Sequence, residues 1–264
     1  MALALATLKS WLAHPLTVGL DLDDPATTEL RRRIVREKGF LRRIYQEWYT
    51  SIARALPAYP EPALELGSGG GFLREVVPNL ITSEVFPCSG VDRVIDAQAL
   101  PFGAGELRGI VMTNVLHHLP DVSRFFAEAV RCLRAGGALA MVEPWMTPWS
   151  CFVYRRLHHE PFDREALTWT FPTSGPLSGA NGALPWIVFQ RDRREFEKKF
   201  PQLRIETIQP MMPMAYLLSG GVSMRSFAPE WLYGPCRRLE SLSLWRERAA
   251  MFAFIVVRRT GGPE

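Results

Sequence analysis

The sequence predicts an α/β protein built on a doubly wound, mostly parallel sheet of seven strands. Three observations carry that expectation. Short apolar runs alternate with helix-like segments along the middle of the chain, the pattern of a parallel sheet with right-handed crossovers. The stretch "ALELGSGGGF", Ala63 to Phe72, sets four glycines in five positions directly after the first of those runs. The 264 residues, 47% hydrophobic and 22% charged, have the composition of a globular protein able to bury a sizeable core.

The chain starts with "MALALATLKSWLAHPLTVGL", apolar but without a basic leader and interrupted by Lys9 and His14. It is too short and too interrupted to cross a membrane. A short amphipathic helix is expected there, docked on the protein or resting on a membrane surface as a peripheral contact. "DDPATTELRRRIVREKGFLRRIYQEWYTSIARALP" then reads as two helices. Asp23 or Asp24 caps the first, with Pro25 in its first turn. Gly39 breaks the run, Pro57 closes it, and Leu41, Ile44, Tyr45, Trp48 and Ile52 recur at helical spacing. Residues 1–59 are therefore read as a helical N-terminal extension.

After the linker "AYPEP", the strands are "ALEL", "LITSEVF", "VDRVIDA", "LRGIVMTNVL" and "ALAMVEP". "FLREVVPN" starts as a helix between the first two. "DVSRFFAEAVRCLRAGG" is a helix capped by Asp121 and ended by Gly136-Gly137. Residues 145–200, rich in Trp, Pro, Gly and Ser, read as an insertion after the fifth strand. It begins helix-like, passes through a loop and ends in the charged helix "RDRREFEKKF". "LRIETIQPM" and "MFAFIVVRR" supply the last two strands, on either side of mixed helical signals and the pair Gly220-Gly221.

The formal charge is +4, and much of the basic charge sits in "ELRRRIVREKGFLRR", Glu29 to Arg43. Such a run is a solvated helix face or a patch for nucleic acid or anionic lipid. Cys88, Cys132, Cys151 and Cys236 form no C-x-x-C pair, and the five histidines share no metal-ligand spacing with them. The expectation is free, mostly buried thiols, a reducing, cytoplasmic setting and no metal site.

The glycine loop allows two phosphate readings, and both fail on position. No lysine follows the glycines, which excludes a Walker loop. The third glycine of G-x-G-x-x-G would fall on Phe72 in one register and Arg74 in the other. What stands there is acid-x-G-x-G-x-G: Glu65, Gly67, Gly69 and Gly71. Glu84 follows Glu65 by nineteen residues, "IDAQALPF" by thirty, then "NVLHHLPD" and "LRAGGALAMVEP". This ordered set, over residues 60–144, resembles the class I S-adenosylmethionine-dependent methyltransferases, in the broad group that acts on small molecules such as quinone precursors.

The resemblance implies a Rossmann-like sheet with an antiparallel last strand, S-adenosyl-L-methionine as cofactor, and residues 60–264 as one domain with a lid-like insertion at 145–200. It implies that Gly67, Ser68, Gly69 and Gly71 admit the cofactor to bare backbone while Glu65 organises the loop. Glu84, with Val85 beside it, would receive the ribose diol; Asp96 and Ala97 would hold adenine; Asn114 and Val115 would line the methionine side. One departure concerns "VFPCSGVDRVI", too short for the usual helix, which leaves Asp92 as a competitor for the ribose.

Methyl transfer from a sulfonium gains mainly from positioning and exclusion of water. A base is needed only where the acceptor must lose a proton, and histidine suits that task near neutral pH. His118, His158 and His159 are the candidate bases, though His118 reads first as a structural residue bonding backbone at the strand end. The aromatics Trp145, Trp149, Phe152, Tyr154, Trp169, Phe171, Trp186 and Phe189 of the insertion form either a lid over an apolar acceptor or a small satellite core. "PMMPMAYLL", Pro210 to Leu218, is an adaptable pocket wall or plain core. A small-molecule acceptor, apolar or lipid-like, is the expected partner. The alternatives are a macromolecular acceptor, for which no target-binding motif is found, and a non-catalytic cofactor-binding protein. Nucleic acid is disfavoured, and the oligomeric state is open.

Overall fold

The computed structural model describes residues 14, 25–157, 160–173, 175, 179–241 and 246–261. The expected N-terminal amphipathic helix, the caps Asp23 and Asp24, and the candidate bases His158 and His159 lie outside the described residues. Strands β1 (Ala63–Leu66), β2 (Leu80–Glu84), β3 (Arg93–Val94), β4 (Leu107–Thr113), β5 (Leu133–Pro144), β6 (Leu203–Met211) and β7 (Phe252–Arg259) pair in the order β3-β2-β1-β4-β5-β7-β6. Strand β7 runs antiparallel to both β5 and β6, and the other six are parallel to one another. This is the Rossmann-like arrangement. All four residues of β1 and six of the seven in β4 are buried, as strands covered on both faces must be. The strand order reverses between β1 and β4, and ligands of such sheets bind beyond the strand ends at that point.

Two helices, α1 (Pro25–Glu37) and α2 (Gly39–Ala55), precede the sheet, with extended Lys38 at the break. Leu41, Ile44, Trp48 and Ile52 are fully buried, and the Trp48 ring lies 5.1 Å from Phe252 of β7. The Lys38 ammonium donates to the carbonyls of Gly221 (2.5 Å) and Met224 (2.8 Å), tying the helix break to the distant glycine pair. Part of the basic run makes tertiary contacts, while Arg33, Arg42 and Arg43 stay exposed. Arg32 donates to the carbonyls of Gly69 (2.9 Å) and Ser89 (2.8 Å), and Arg36 pairs with Glu75.

Three local expectations change. "FLREVVPN" forms only a 3-10 turn, Leu73–Glu75, because Pro78 and the left-handed Asn79 (φ 51°) return the chain to β2 at once. Helices α1 and α2 pack beside this turn, with Tyr49 edge-on to Phe72 at 4.9 Å. Helix α3 (Val122–Cys132) is capped by Asp121, which accepts from the N–H groups of Ser123 and Arg124 as expected, but it stops before the glycines. Buried Leu133 is already extended and pairs with Leu107. The residues after it bulge out of the ladder around Gly136 (φ 79°) before pairing resumes at Gly109 and Ala138. Strand β3 holds only two residues, both exposed.

The segment after β5 carries α4 (Pro148–Leu157), α5 (Leu184–Trp186), a π-helical turn at Ile187–Arg191 and the charged α6 (Arg193–Lys199). Phe189, Phe196 and Phe200 gather around Phe126 of α3 with ring centroids 5.1–5.8 Å away. Helices α7 (Ala215–Ser219), α8 (Tyr233–Ser241) and α9 (Arg246–Ala249) lie between β6 and β7. No helix among the described residues is long and apolar enough to cross a membrane. The cysteines are free, although only Cys132 is buried; the other three are half-buried.

Removing a large, fully enclosed side chain costs about 3–5 kcal/mol, whereas an exposed substitution stays within about 0.5 kcal/mol. Trp48→Ala is therefore expected to destabilise the fold by that larger amount in urea denaturation, and Arg42→Ala on the exposed face of α2 by the smaller.

Candidate active site

A cavity of about 1120 Å³ opens at the switch point. One side is the glycine loop with Glu65, Glu84, Val85, Asp96, Ala97, Thr113, Asn114 and Val115. The structure thus brings together every cofactor-side residue singled out in the sequence: Gly67, Ser68, Gly69 and Gly71 also line it. Asp92 does not. Its carboxylate accepts from the Thr82 N–H (2.9 Å) and pairs with Arg74, which makes it a tie between β2 and the start of β3. Of the two acids, Glu84 stands at the end of β2 and lines the cavity.

The glycines are bare for a further reason that the sequence does not reveal. Gly67 (φ 62°) adopts a left-handed conformation against the Val115 side chain, and a Cβ at Gly70 would stand 3.0 Å from the backbone nitrogen of Arg32 in α1. At Gly71 a Cβ would collide with the Tyr49 hydroxyl of α2. Part of the loop admits the N-terminal helices. The Gly69 N–H donates to Glu84 Oε1 at 2.7 Å, and Ser68 Oγ accepts from the Ser83 N–H at 3.1 Å, which fastens the loop to the end of β2.

The electrostatics of this wall are set by burial. Desolvation raises the Glu65 carboxyl to about 7; the Ser68 hydroxyl opposes this and the nearby Glu84 charge adds to it. Glu84 is also raised by burial, with the Gly69 and Val85 N–H groups pulling it back. Asn114 stands in the left-handed region (φ 57°), and its Oδ1, like Thr113 Oγ1, is buried without a hydrogen-bond partner. A strained residue holding an unpaired acceptor at a cavity wall is the arrangement of a binding site. Arg31 of α1 also borders the cavity, and its positive charge is felt at Glu84, Tyr45 and Tyr216.

The opposite wall is apolar and includes Val35, Tyr45, Tyr154, Phe162, Tyr216 and Leu217. Of the insertion aromatics named from sequence, only Tyr154 lines the cavity. Trp145, Trp169 and Phe189 are buried in the main core, and Trp149, Phe171 and Trp186 pack against it, so neither a lid nor a separate satellite core describes most of them. The Met-rich run contributes Tyr216, Leu217 and Leu218 to the wall rather than its methionines; Met211 and Met212 are buried core and Met214 is exposed.

The 3-10 turn Leu116–His118 after β4 brings two imidazoles to the cavity. His118 Nδ1 donates to the Gly179 carbonyl at 3.0 Å. His117, not among the candidate bases read from the sequence, is the more buried: its Nδ1 lies 2.7 Å from Glu143 Oε2, while Glu143 Oε1 accepts from the N–H groups of Val115 and Leu116 at 2.8 Å. Glu160 completes the group, 3.5 Å from His117 Nε2 and 3.8 Å from His118 Nε2. Burial opposes a charge on His117, but Glu143 and Glu160 outweigh it and hold its pKa above the usual value; burial and the His117 charge push His118 down. Sequence reasoning missed Glu143 and Glu160, although a carboxylate at the end of a buried strand is a signal in itself.

Residues 64–141 match the family model described as a methyltransferase domain. This segment belongs to the class I S-adenosylmethionine-dependent methyltransferases, and S-adenosylmethionine is the cofactor of that domain. Among solved structures the chain is similar to geranyl diphosphate C-methyltransferase from Streptomyces coelicolor A3(2), at 14% identity over 94% of this chain and 89% of that one (TM-score 0.46). It is also similar to an S-adenosylmethionine-dependent methyltransferase from Mesorhizobium loti, at 15% identity over 79% and 96% of the two chains (TM-score 0.45). No curated protein matches the chain closely enough to count as a relative.

Because Glu65 titrates near 7 in the fold and near 4.5 unfolded, the folded state holds the extra proton between those values. Stability is lost as pH rises from about 4.5 through about 7, and the penalty is fully present above it. Glu65→Gln is expected to stabilise the ligand-free protein by about 2–3 kcal/mol above pH 7 and to have little effect near pH 4.5, read from urea denaturation at the two pH values.

Proposed function

We propose that the protein transfers a methyl group from S-adenosylmethionine to a small, apolar or lipid-like acceptor held in the same cavity. The observation that carries this reading is the cavity itself. Its volume of about 1120 Å³ exceeds the roughly 300–1,000 Å³ of a typical single-ligand pocket, and one side is polar while the other is aromatic and aliphatic. The bound cofactor supplies an electrophilic methyl on a sulfonium, transferred by in-line displacement.

The chain's own residues bind, orient and exclude water. The Glu84 carboxylate, which has acceptor capacity beyond its bonds to the Gly69 and Val85 N–H groups, receives the ribose diol. Asp96, whose Oδ1 accepts from the Gln98 N–H, and the backbone of Ala97 face the adenine. The unpaired Asn114 Oδ1 accepts from the ammonium of the methionine end, and the ionised Glu65 offsets that positive charge behind the loop. Helices α1 and α2 and the residues from Tyr216 to Leu218 wall the acceptor off from water, which strengthens each electrostatic contact. Among the described residues His118 is the candidate base: its Nδ1–H is committed to the Gly179 carbonyl, so Nε2 carries the lone pair. His158 and His159 are candidate bases on their sequence position alone.

Glu84→Ala is expected to weaken S-adenosylmethionine binding by about tenfold or more, the equivalent of a lost charge-assisted hydrogen bond of about 1.5 kcal/mol. Calorimetry reads the affinity, and thermal unfolding should change far less. Unchanged affinity would remove Glu84 from the site. Radiolabelled methyl transfer to a panel of apolar hydroxylated, phenolic and amine acceptors identifies the acceptor class. Cofactor binding without transfer to any small molecule, but with transfer to a protein or RNA fraction, would replace the small-molecule reading.

A further inference from the structure

We propose that His117, His118 and Glu160 form a site for one divalent transition-metal ion of the zinc class, open to the cavity. Three independent features of the geometry point to it. The first is separation. One ligand atom from each of the three residues lies within 4.8 Å of the others, with His117 Nε2 at 3.5 Å and His118 Nε2 at 3.8 Å from the two oxygens of Glu160. Those distances are at or beyond the limit of a hydrogen bond. The edge of a tetrahedron around zinc is about 3.4 Å for ligand bonds of about 2.0–2.2 Å, so the group, whose ligand atoms lie within 4.8 Å of one another, closes by about an ångström to seat the ion.

The second feature lies behind the ligand atoms. A metal-binding imidazole commits its other nitrogen to a carboxylate or backbone carbonyl, which sets ring direction and tautomer. Both histidines do so here: His117 Nδ1 lies on Glu143, and His118 Nδ1 lies on the Gly179 carbonyl. Glu143 is in turn held by two backbone N–H groups and is fully buried. Both Nε2 atoms are thereby aimed at the same carboxylate, and with the ion bound His118 Nε2 is a ligand and no longer a base.

The third feature is charge and access. Binding of the ion releases the proton that Glu143 and Glu160 hold on His117, and the dication takes its place beside the two carboxylates. His117, His118 and Glu160 all border the cavity. Three protein ligands leave a fourth position, as metal sites that take up substrate do. A donor set of two imidazoles and one carboxylate suits Zn²⁺, Fe²⁺ or Mn²⁺ rather than Ca²⁺ or Mg²⁺. The ion's open position takes an oxygen donor, which makes the acceptor an oxygen-bearing molecule. That last assignment rests on the reading of the cavity as an acceptor site.

The full chain without an affinity tag, stripped by chelator and dialysed, is titrated with Co²⁺ alone and followed by its visible absorption bands and by metal analysis. One ion per chain is expected, displaced by Zn²⁺. Glu160→Gln and His118→Ala should each weaken binding about tenfold or more, and Glu143→Gln about tenfold through loss of the support behind His117. Circular dichroism identifies any variant that fails to fold, and the wild-type titration decides the question without them. Absence of stoichiometric binding in the wild type, or binding that Glu160→Gln leaves unchanged, overturns the proposal and makes the cluster a hydrogen-bond network only. S-adenosylmethionine calorimetry on the same sample separates the two readings: cofactor binding without metal uptake removes the ion alone, and metal uptake without cofactor binding removes the transferase reading alone.

Discussion

Neighbours press on the bare backbone of Gly67–Gly71 from all around: the Val115 side chain, the Glu84 carboxylate, the backbone of α1 and the Tyr49 hydroxyl. This close approach is the constraint on which the rest of the site depends. A side chain at Gly70 would push α1 off the loop, because the obstacle there is backbone, which cannot swing aside. With α1 in place, Arg32 reaches the Gly69 carbonyl, the Gly69 N–H reaches Glu84, and the end of β2 is fixed relative to the end of β1. The loop is a joint between the sheet and the N-terminal helices as well as a floor for a ligand.

That joint converts packing into a cavity. Trp48 and its buried neighbours hold α2 on the sheet beside β7, and Lys38, at the helix break, holds the carbonyls of Gly221 and Met224. The residues around that anchor, Tyr216 to Leu218 and Gly220 to Met224, form the far wall of the cavity. Apolar burial at a distance from the chemistry therefore fixes the separation of the polar wall from the apolar one. In such a site charged groups act through a low-dielectric medium, which is why Glu65 and Glu84 hold their protons more tightly than surface carboxylates do.

Much of this was legible in the sequence where the signal is local. The strand–glycine loop–acid spacing located Glu65, Glu84, Asp96 and Asn114, because each sits at a strand end whose position follows from alternation of elements. The Asp121 cap and the two N-terminal helices were legible for the same reason. What was not legible depends on direction or on distant partners. Spacing cannot say which of two adjacent histidines turns inward, and the answer lies in Glu143, twenty-six residues from His117. The helix expected at "FLREVVPN" lost to Pro78 and to an N-terminal helix pair packed beside it. The aromatic-rich insertion gave one cavity residue among those singled out, Tyr154, because aromatics that extend the core follow the same periodicity as aromatics that form a lid.

The central claim is that the polar wall, with Glu84 at its strand end, holds the nucleoside of a sulfonium cofactor. Its most direct test is a crystal structure of the full chain with S-adenosylhomocysteine. The account predicts ligand density between Gly67–Gly71 and Asp96, with both ribose hydroxyls on the Glu84 carboxylate and the amino group on Asn114 Oδ1. Density outside this cavity, or a ribose bound by Asp92 with Glu84 left on the Gly69 N–H, would contradict it.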